Sequence, residues 1–285
     1  MMKTTAWIAA LAFTFSVYQQ LNAQAIPLGE ALKKGYLSFT ATGNGGHTGE
    51  SLKLKLVNKS KKQLTVLVAA GQVFEAGDSS LQNLMVAKEE MFMVEAGRTR
   101  TANLSGLCIE ASDGSPGEGS GFSLGKMAEG NLLKMARYLS DNNLHTNPAA
   151  QFAVWAVSDA ERLESIGDPA LAKFTADMLG KPVPEYHIEY QQPQDRMLPG
   201  QPANWREAMA LNGLFYYDLS HDTKVDFGLY NEQGELVHTL FKNRLQRRGS
   251  HKFRFNFEIR GLEKGKYFVR LTRDGQVLKE LAAEF

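Results

Sequence analysis

The sequence predicts a β-rich α+β protein: an N-terminal β-sandwich-like domain with inserted helices, followed by a small C-terminal β-sandwich. Residues 26–110 and 206–285 alternate apolar and polar side chains with the period of two that half-buried strands show. Between these stretches, apolar residues recur at helical spacing, which predicts the inserted helices. The chain has 285 residues and a hydrophobic content of 43%, which suits two domains at about 150 residues each.

The first 25 residues have the composition of a secretory signal peptide. Lys3 gives a positive start, an apolar run covers Trp7 to Val17, and Ala23-Gln24-Ala25 matches a cleavage site. We therefore expect an exported protein that is secreted, periplasmic or held at the cell surface. After this segment no apolar run reaches the ~18 residues of a membrane-spanning helix, so we expect none in the mature chain.

Charge and cysteine content narrow the function classes. The chain has 32 Lys and Arg against 31 Asp and Glu, so removal of Lys3 with the signal would leave a mature chain with no net charge. Because a dedicated nucleic-acid binder carries a strongly basic face, we do not expect nucleic acid as a partner. Cys108 is the single cysteine, which excludes an intramolecular disulfide and a cysteine-based zinc cluster. The sequence indicates no cofactor and no metal site.

The N-terminal domain is expected to cover residues 26–180. Residues 52–56 and 64–68 each alternate around a polar turn, which predicts a hairpin. Further strands are predicted at Met91–Val94 and directly before Cys108.

Three helices complete this domain. The first is predicted from Met127 to residue 141, on the spacing of its apolar residues. Asn147-Pro148 and Asp168-Pro169 each combine an N-cap residue with a proline at the first helical position, and Gly180 suits the end of the last helix.

The C-terminal part begins after a change in composition. Residues 181–205 hold five of the nine prolines and several glutamines, which predicts an extended linker. Residues 206–285 contain about six short strand patterns, and Asp274-Gly275 is a strong hairpin signal, so we expect a small β-sandwich.

Two short motifs carry the most chemical information. Cys108 lies in Gly106-Leu107-Cys108-Ile109-Glu110, and Gln151 lies in Ala150-Gln151-Phe152-Ala153-Val154-Trp155, one helical turn before Trp155. These contexts resemble the cysteine and glutamine motifs of bacterial surface thioester domains, over roughly residues 36–165. The Gly45-Gly46-His47-Thr48-Gly49 stretch is similar to that of uncharacterised exported proteins.

The resemblance implies a specific chemistry. The Cys108 thiolate would attack the Gln151 amide carbon, release ammonia and leave an internal thioester that a partner's amine could capture. Trp155 would shield the bond from water and His47 could lie beside it. The implied function is binding or adhesion at an extracellular protein or glycan surface.

The C-terminal part carries a second resemblance. Residues 225–234, 265–271 and 275–279 resemble Ig-like C-terminal modules related to type IX secretion sorting domains and the flagellar hook-cap Ig-like domain. This implies an Ig-like sandwich, although the Tyr-Pro-Asn-Pro opening of those modules is absent. A generic β-sandwich accessory domain is the alternative.

Other functions remain open at this stage. Cys108 with His47, His145 or His187 as base would suit a hydrolase, but no local motif supports an enzyme. A purely structural surface component would need no chemistry. A basic cluster could contact an anionic glycan or lipid, or serve only as a solvated loop. The cluster consists of Lys242, Arg244, Arg247, Arg248, Lys252 and Arg254.

Overall fold

The computed structural model of the protein describes residues 25–45, 49–191 and 207–285. The predicted signal peptide, apart from Ala25, therefore lies outside the described residues, and so does His47. The described residues form a β-rich fold with four sheets. In these ranges, no helix combines the length and the apolar composition needed to cross a membrane.

The elements follow one another in three groups. The first ten strands are β1 (Ile26–Pro27), β2 (Leu37–Asn44), β3 (Leu52–Asn58), β4 (Leu64–Val68), β5 (Gln72–Ala76), β6 (Leu84–Val86), β7 (Glu90–Val94), β8 (Thr99–Leu104), β9 (Gly106–Cys108) and β10 (Glu118–Met127). The helices are α1 (Leu28–Lys33), α2 (Gly130–Asp141), α3 (Ala149–Ser158) and α4 (Pro169–Leu179). The last strands are β11 (Tyr186–Tyr190), β12 (Ala208–Leu219), β13 (Thr223–Asn231), β14 (Leu236–Gln246), β15 (Gly249–Glu258), β16 (Lys266–Arg273) and β17 (Gln276–Glu284).

Two sheets form an N-terminal sandwich. The smaller has the order β1–β4–β7, and the larger has the order β8–β3–β2–β10–β5–β6–β9. Leu54 and Phe74 of the larger sheet share a buried apolar cluster with Val66 and Phe92 of the smaller sheet. This agrees with the predicted β-sandwich-like architecture, because one alternating face of each sheet is removed from water.

The predicted hairpin between residues 52–56 and 64–68 is wrong. Strand β3 pairs with β2 and β8 in the larger sheet, whereas β4 pairs with β1 and β7 in the smaller one. The intervening turn carries the chain between sheets and is fixed by the Asn58 side chain, which donates to the carbonyls of Lys62 and Val94. Alternation defines the buried face of a strand but not its partner.

Helices cover the outer face of the larger sheet at its β5–β6–β9 side. Met85 and Leu107 of this face pack in one buried cluster with Ala150 and Val154 of α3. Their neighbours along the strands, including Cys108, face the interior of the sandwich instead. Strand β9 therefore lies between two cores.

The predicted caps of α4 are confirmed, whereas α3 begins at Ala149, one residue later than predicted, with Pro148 at its N-cap. Asp168 accepts hydrogen bonds from the backbone N–H groups of Ala170 and Leu171, and Gly180 ends α4 with φ 65°. Asn147 accepts from the backbone of Ala149 and donates to the Asp168 carboxylate, which ties the starts of α3 and α4 together. Helix α2 begins later than predicted, at Gly130, because β10 continues to Met127.

A second pair of sheets forms the C-terminal sandwich, residues 186–191 and 207–285. Their orders are β11–β12–β15 and β14–β13–β16–β17. Their shared core is rich in phenylalanine; for example, the rings of Phe215 and Phe227 lie 5.0 Å apart and nearly perpendicular. Asp274 and Gly275 both adopt positive φ in the predicted β16–β17 hairpin.

Two details differ from the expected layout of this part. Tyr186–Tyr190, inside the predicted 181–205 linker, form β11 and pair with β12, while residues 192–206 lie outside the described residues. Strand β14 extends to Gln246, so the basic cluster lies on β14, β15 and their short connection.

Substitution Asp168→Ala tests the cap of α4. We expect the free energy of unfolding to fall by about 1 kcal/mol, because two backbone N–H groups lose their acceptor. The control Asp177→Ala, which removes an exposed ion pair with Lys173, should cost less than about 0.5 kcal/mol. Urea denaturation measures the free energy of unfolding of both variants.

Hydrogen bonds from Leu171 and its neighbours lower the pKa of Asp168, so the stabilising effect of Asp168 should be lost as the pH falls through that pKa.

Candidate functional site

The candidate site lies at the free edge of the larger sheet. Strand β9 is the last strand of that sheet and pairs only with β6 among the described strands. Ser105 accepts a hydrogen bond from Ala87, and Ile109 donates to Asn83, so these two residues turn their backbone groups towards the sheet. Because the backbone groups of successive residues in an antiparallel pair point in opposite directions, the N–H and carbonyl groups of Gly106 and Cys108 point away from β6. These outward groups need other partners, because they are buried.

The side chain of Gln151 supplies both partners for Cys108. The Cys108 N–H donates to Gln151 Oε1 at 3.0 Å, and Gln151 Nε2 donates to the Cys108 carbonyl at 2.8 Å. Cys108 is 0% exposed and Gln151 1% exposed. The carboxamide therefore pairs with the backbone of Cys108 as the next strand of a sheet would. The structure thus brings together the two residues that the motifs singled out.

The loop between β2 and β3 covers the same edge of the sheet at Gly106, two residues before Cys108. Gly106 donates to the carbonyl of Gly49 and accepts from the Ser51 hydroxyl. A Cβ at position 106 would lie 2.7 Å from Ser51 Oγ, which explains a glycine at this position. This loop continues the segment that contains His47, so the described flank of that segment is anchored two residues from Cys108. His47 itself lies outside the described residues.

Helix α3 places the side chain of Gln151 level with Cys108 along strand β9. Gln151 is the third residue of the helix, and the side chain of Asn147 accepts a hydrogen bond from Ala149, the first residue. Ala150 and Ala153 are completely buried, and such small side chains let the helix approach the sheet closely. Side chains in a helix point back towards its N-terminus, which directs the Gln151 carboxamide towards β9.

Burial makes Cys108 a neutral thiol. Desolvation, together with the negative charge of Glu110, raises the pKa of Cys108 well above its usual value. Glu110 is itself held by Asn83, whose backbone N–H and side-chain amide both donate to its carboxylate. Burial nevertheless raises the pKa of Glu110, because desolvation outweighs these hydrogen bonds. The thiol is therefore protected from reagents that require a thiolate.

Trp155 is buried on α3, one helical turn after Gln151. It is 1% exposed and belongs to the same buried cluster as Cys108. Its ring meets the ring of Phe152 edge to face, with centroids 6.1 Å apart. Phe152 and Trp155 both follow Gln151 on α3, and the buried cluster that contains Trp155 and the thiol is apolar.

Of the three histidines proposed as bases for a hydrolase, His145 and His187 lie within the described residues, and neither is hydrogen-bonded to Cys108. Within the described residues, no histidine is hydrogen-bonded to Cys108 and none contributes to its pKa. His145 lies near Lys88 and Glu90, and its pKa is lowered mainly by burial. His187 lies on β11 near Ile166 and Asp168, and its pKa is also lowered mainly by burial.

Sequence reasoning missed several supports of this site. Asn83 and the Gly49–Ser51 loop come from segments far from Cys108 in sequence. Only Glu110, the acidic residue of the cysteine motif, gave a sequence signal, and it pointed to the pair with Asn83.

In the described ranges, no three or more metal-ligating side chains come together. Comparisons of the chain with known protein families, with curated proteins and with solved structures gave no match.

Substitution Gln151→Ala tests the structural weight of this pairing. In a Cys108→Ala background the backbone groups of residue 108 remain, so the substitution leaves a buried donor and acceptor unpaired. We expect a loss of about 1–3 kcal/mol in the free energy of unfolding, measured by urea denaturation. Gln151→Glu should be least stable at neutral pH and recover at acidic pH, where a protonated carboxyl again donates to the carbonyl. An exposed control, Gln63→Ala, should change stability little; equal losses would contradict the assigned role.

Proposed function

We propose that this is an exported binding or attachment protein that carries an internal thioester between Cys108 and Gln151. The observation that carries the proposal is the pair of hydrogen bonds that fix the Gln151 carboxamide on the backbone of the cysteine. The two residues are 43 positions apart in the sequence, so their meeting is a product of the fold. The resemblance to thioester domains supports the same pairing from the motifs.

The hydrogen bonds also suit the first chemical step. Attack of sulfur on the amide carbon moves negative charge onto Gln151 Oε1, and the Cys108 N–H already donates to that oxygen. The C–N bond then breaks, a C–S bond replaces it, and the thiol proton leaves on the nitrogen as ammonia. The positive end of the α3 dipole lies in the turn that holds Gln151 and favours the same charge.

The surroundings suit a bond that must survive in water. A thioester hydrolyses when water reaches its acyl carbon, and both residues are buried, with Cys108 in the same apolar cluster as Trp155. The raised pKa of Cys108 means that the attacking thiolate is scarce, so we expect slow formation during or after folding, with proximity compensating for the low thiolate fraction.

Capture of an amine would make the protein an adhesin-like attachment module. Under this proposal the N-terminal sandwich reacts with an extracellular protein or an amine-bearing glycan surface. The C-terminal sandwich then serves as an Ig-like accessory domain related to the type IX secretion modules. Export rests on the composition of residues 1–25.

The same hydrogen bonds favour a second function, that of a structural surface component without chemistry. The Gln151 carboxamide satisfies both outward groups of Cys108, and this closes an edge that would otherwise be open to strand addition. In that case Cys108 remains a buried thiol.

Intact-mass spectrometry of the mature protein separates the two functions. A thioester makes the native mass short by one ammonia, and methylamine treatment adds the mass of methylamine to that value. Cys108→Ala and Gln151→Ala should both show the full mass expected from sequence and no adduct.

The absence of a thioester would give a different pair of results. A full native mass, with Cys108 alkylated by iodoacetamide only after unfolding, would overturn the thioester and leave the structural function. Unfolding before alkylation is needed because the thiol is completely buried.

A further inference from the structure

The end of β14, the start of β15 and the turn between them form a segment that is charged with one sign. This basic segment, residues 242–254, contains the six cations of the basic cluster and no aspartate or glutamate. All six cationic side chains are exposed. In the described part of the chain, none of the six forms an ion pair with a carboxylate. Their charge is therefore available to a partner outside the chain.

Three carboxylates lie next to the basic segment, and each accepts a hydrogen bond from it. The pairs are the Asn243 N–H with Asp226, the Arg248 N–H with Asp222, and the Ser250 hydroxyl with Asp218. Two of the three donors are backbone groups and the third is a hydroxyl, so these bonds do not engage the cationic side chains. Six cations against three carboxylates leave a local net charge of +3.

The basic segment lies at the edges of both C-terminal sheets. Among the described strands, β14 pairs only with β13, and β15 pairs only with β12. No residue of β14 is buried. The segment therefore faces solvent along a free edge, where a large flat partner could reach several of its side chains together.

Exposed apolar side chains lie among these cations. Leu245 is 62% exposed and lies between Arg244 and Arg247 in the sequence. Tyr216 is also exposed, and the ammonium group of Lys252 lies 5.4 Å from the centre of its ring. Basic residues interspersed with exposed leucine and aromatic side chains are typical of protein surfaces that rest on a lipid bilayer, because such an interface places anionic headgroups directly above hydrocarbon.

We propose that the basic segment docks the protein on the surface of a membrane that contains anionic phospholipids. Its cations contact the lipid phosphates, and four of the six are arginines, whose planar guanidinium groups can donate paired hydrogen bonds to a phosphate. Leu245 enters the boundary between headgroups and acyl chains. This apolar contact favours a lipid surface over an anionic polysaccharide, which has no hydrocarbon layer. The proposal does not depend on the thioester.

Co-sedimentation of the full mature chain with lipid vesicles tests the proposal. One set of vesicles contains phosphatidylglycerol and phosphatidylcholine, and the other contains phosphatidylcholine alone. Neither lipid has a primary amine, so an internal thioester could not contribute to binding. We expect binding to the anionic vesicles, at least about ten-fold weaker binding to the neutral ones, and a comparable loss in about 0.5 M salt, which screens the charges.

A first pair of variants tests the charge. Arg247→Gln with Arg248→Gln should weaken binding to the anionic vesicles at least about ten-fold, because each basic residue near an anionic surface contributes roughly a five-fold factor. The backbone N–H that holds Asp222 remains in this variant. Lys53→Gln with Lys55→Gln removes two exposed cations from β3 and should leave binding unchanged.

A second pair of variants tests the apolar contact. Leu245→Ala should weaken binding to the anionic vesicles about three-fold, because less apolar surface enters the lipid. Met91→Ala is the matched control: Met91 is 63% exposed but lies on the N-terminal sandwich, so its loss should not change binding.

Several results would overturn the membrane surface. These are equal binding to the two kinds of vesicle, and equal effects of the basic-segment variants and their controls. Retention of the protein on heparin without vesicle binding would assign the segment to an anionic polysaccharide instead. Aggregation of the Arg247→Gln, Arg248→Gln variant, when the native chain binds no vesicle, would assign the cations to protection of a free sheet edge.

Discussion

The contact between the Gln151 carboxamide and the backbone of Cys108 is the constraint on which the N-terminal half depends. An edge strand buried on both faces cannot leave its outward N–H and carbonyl groups without partners, since water does not reach them. Helix α3 must therefore bring an amide to one height along β9. The buried alanines of α3 allow that approach, and the Asn147–Asp168 hydrogen bond holds the helix start in register. Any reaction of Cys108 therefore takes place at a contact that also holds helix α3 against strand β9.

The sequence predicted local features well because they depend on local physics. Alternation revealed which side chains of residues 52–56 and 64–68 are buried, and Asp168-Pro169 marked the start of α4. It did not reveal pairing, since a strand shows the same pattern whether its neighbour is the next strand or a distant one. The short strand β11 was hidden in a proline-rich segment, because five residues between prolines carry too little periodicity to stand out.

The site was only partly predictable for a similar reason. Cys108 and Gln151 were paired through the resemblance of their motifs, and the fold does place them side by side. The remaining parts come from segments that have no common pattern. Ser51, in the loop after β2, donates to the carbonyl of Gly106 in β9, and Asn83 donates to the carboxylate of Glu110. Such juxtapositions arise from tertiary packing, and no spacing rule within a single sequence encodes them.

The position of β10 in the larger sheet has a consequence for how the chain folds. This strand lies between β2 and β5, so no strand pairing joins the two halves of the sheet in the described residues until residues 118–127 take their place. The pairing of β2 with β10 joins segments more than seventy residues apart, for example Thr42 with Gly121, and such long closures slow the search for native structure. Most of the N-terminal half must have left the ribosome before its sheet can be completed, so we expect this half to assemble late.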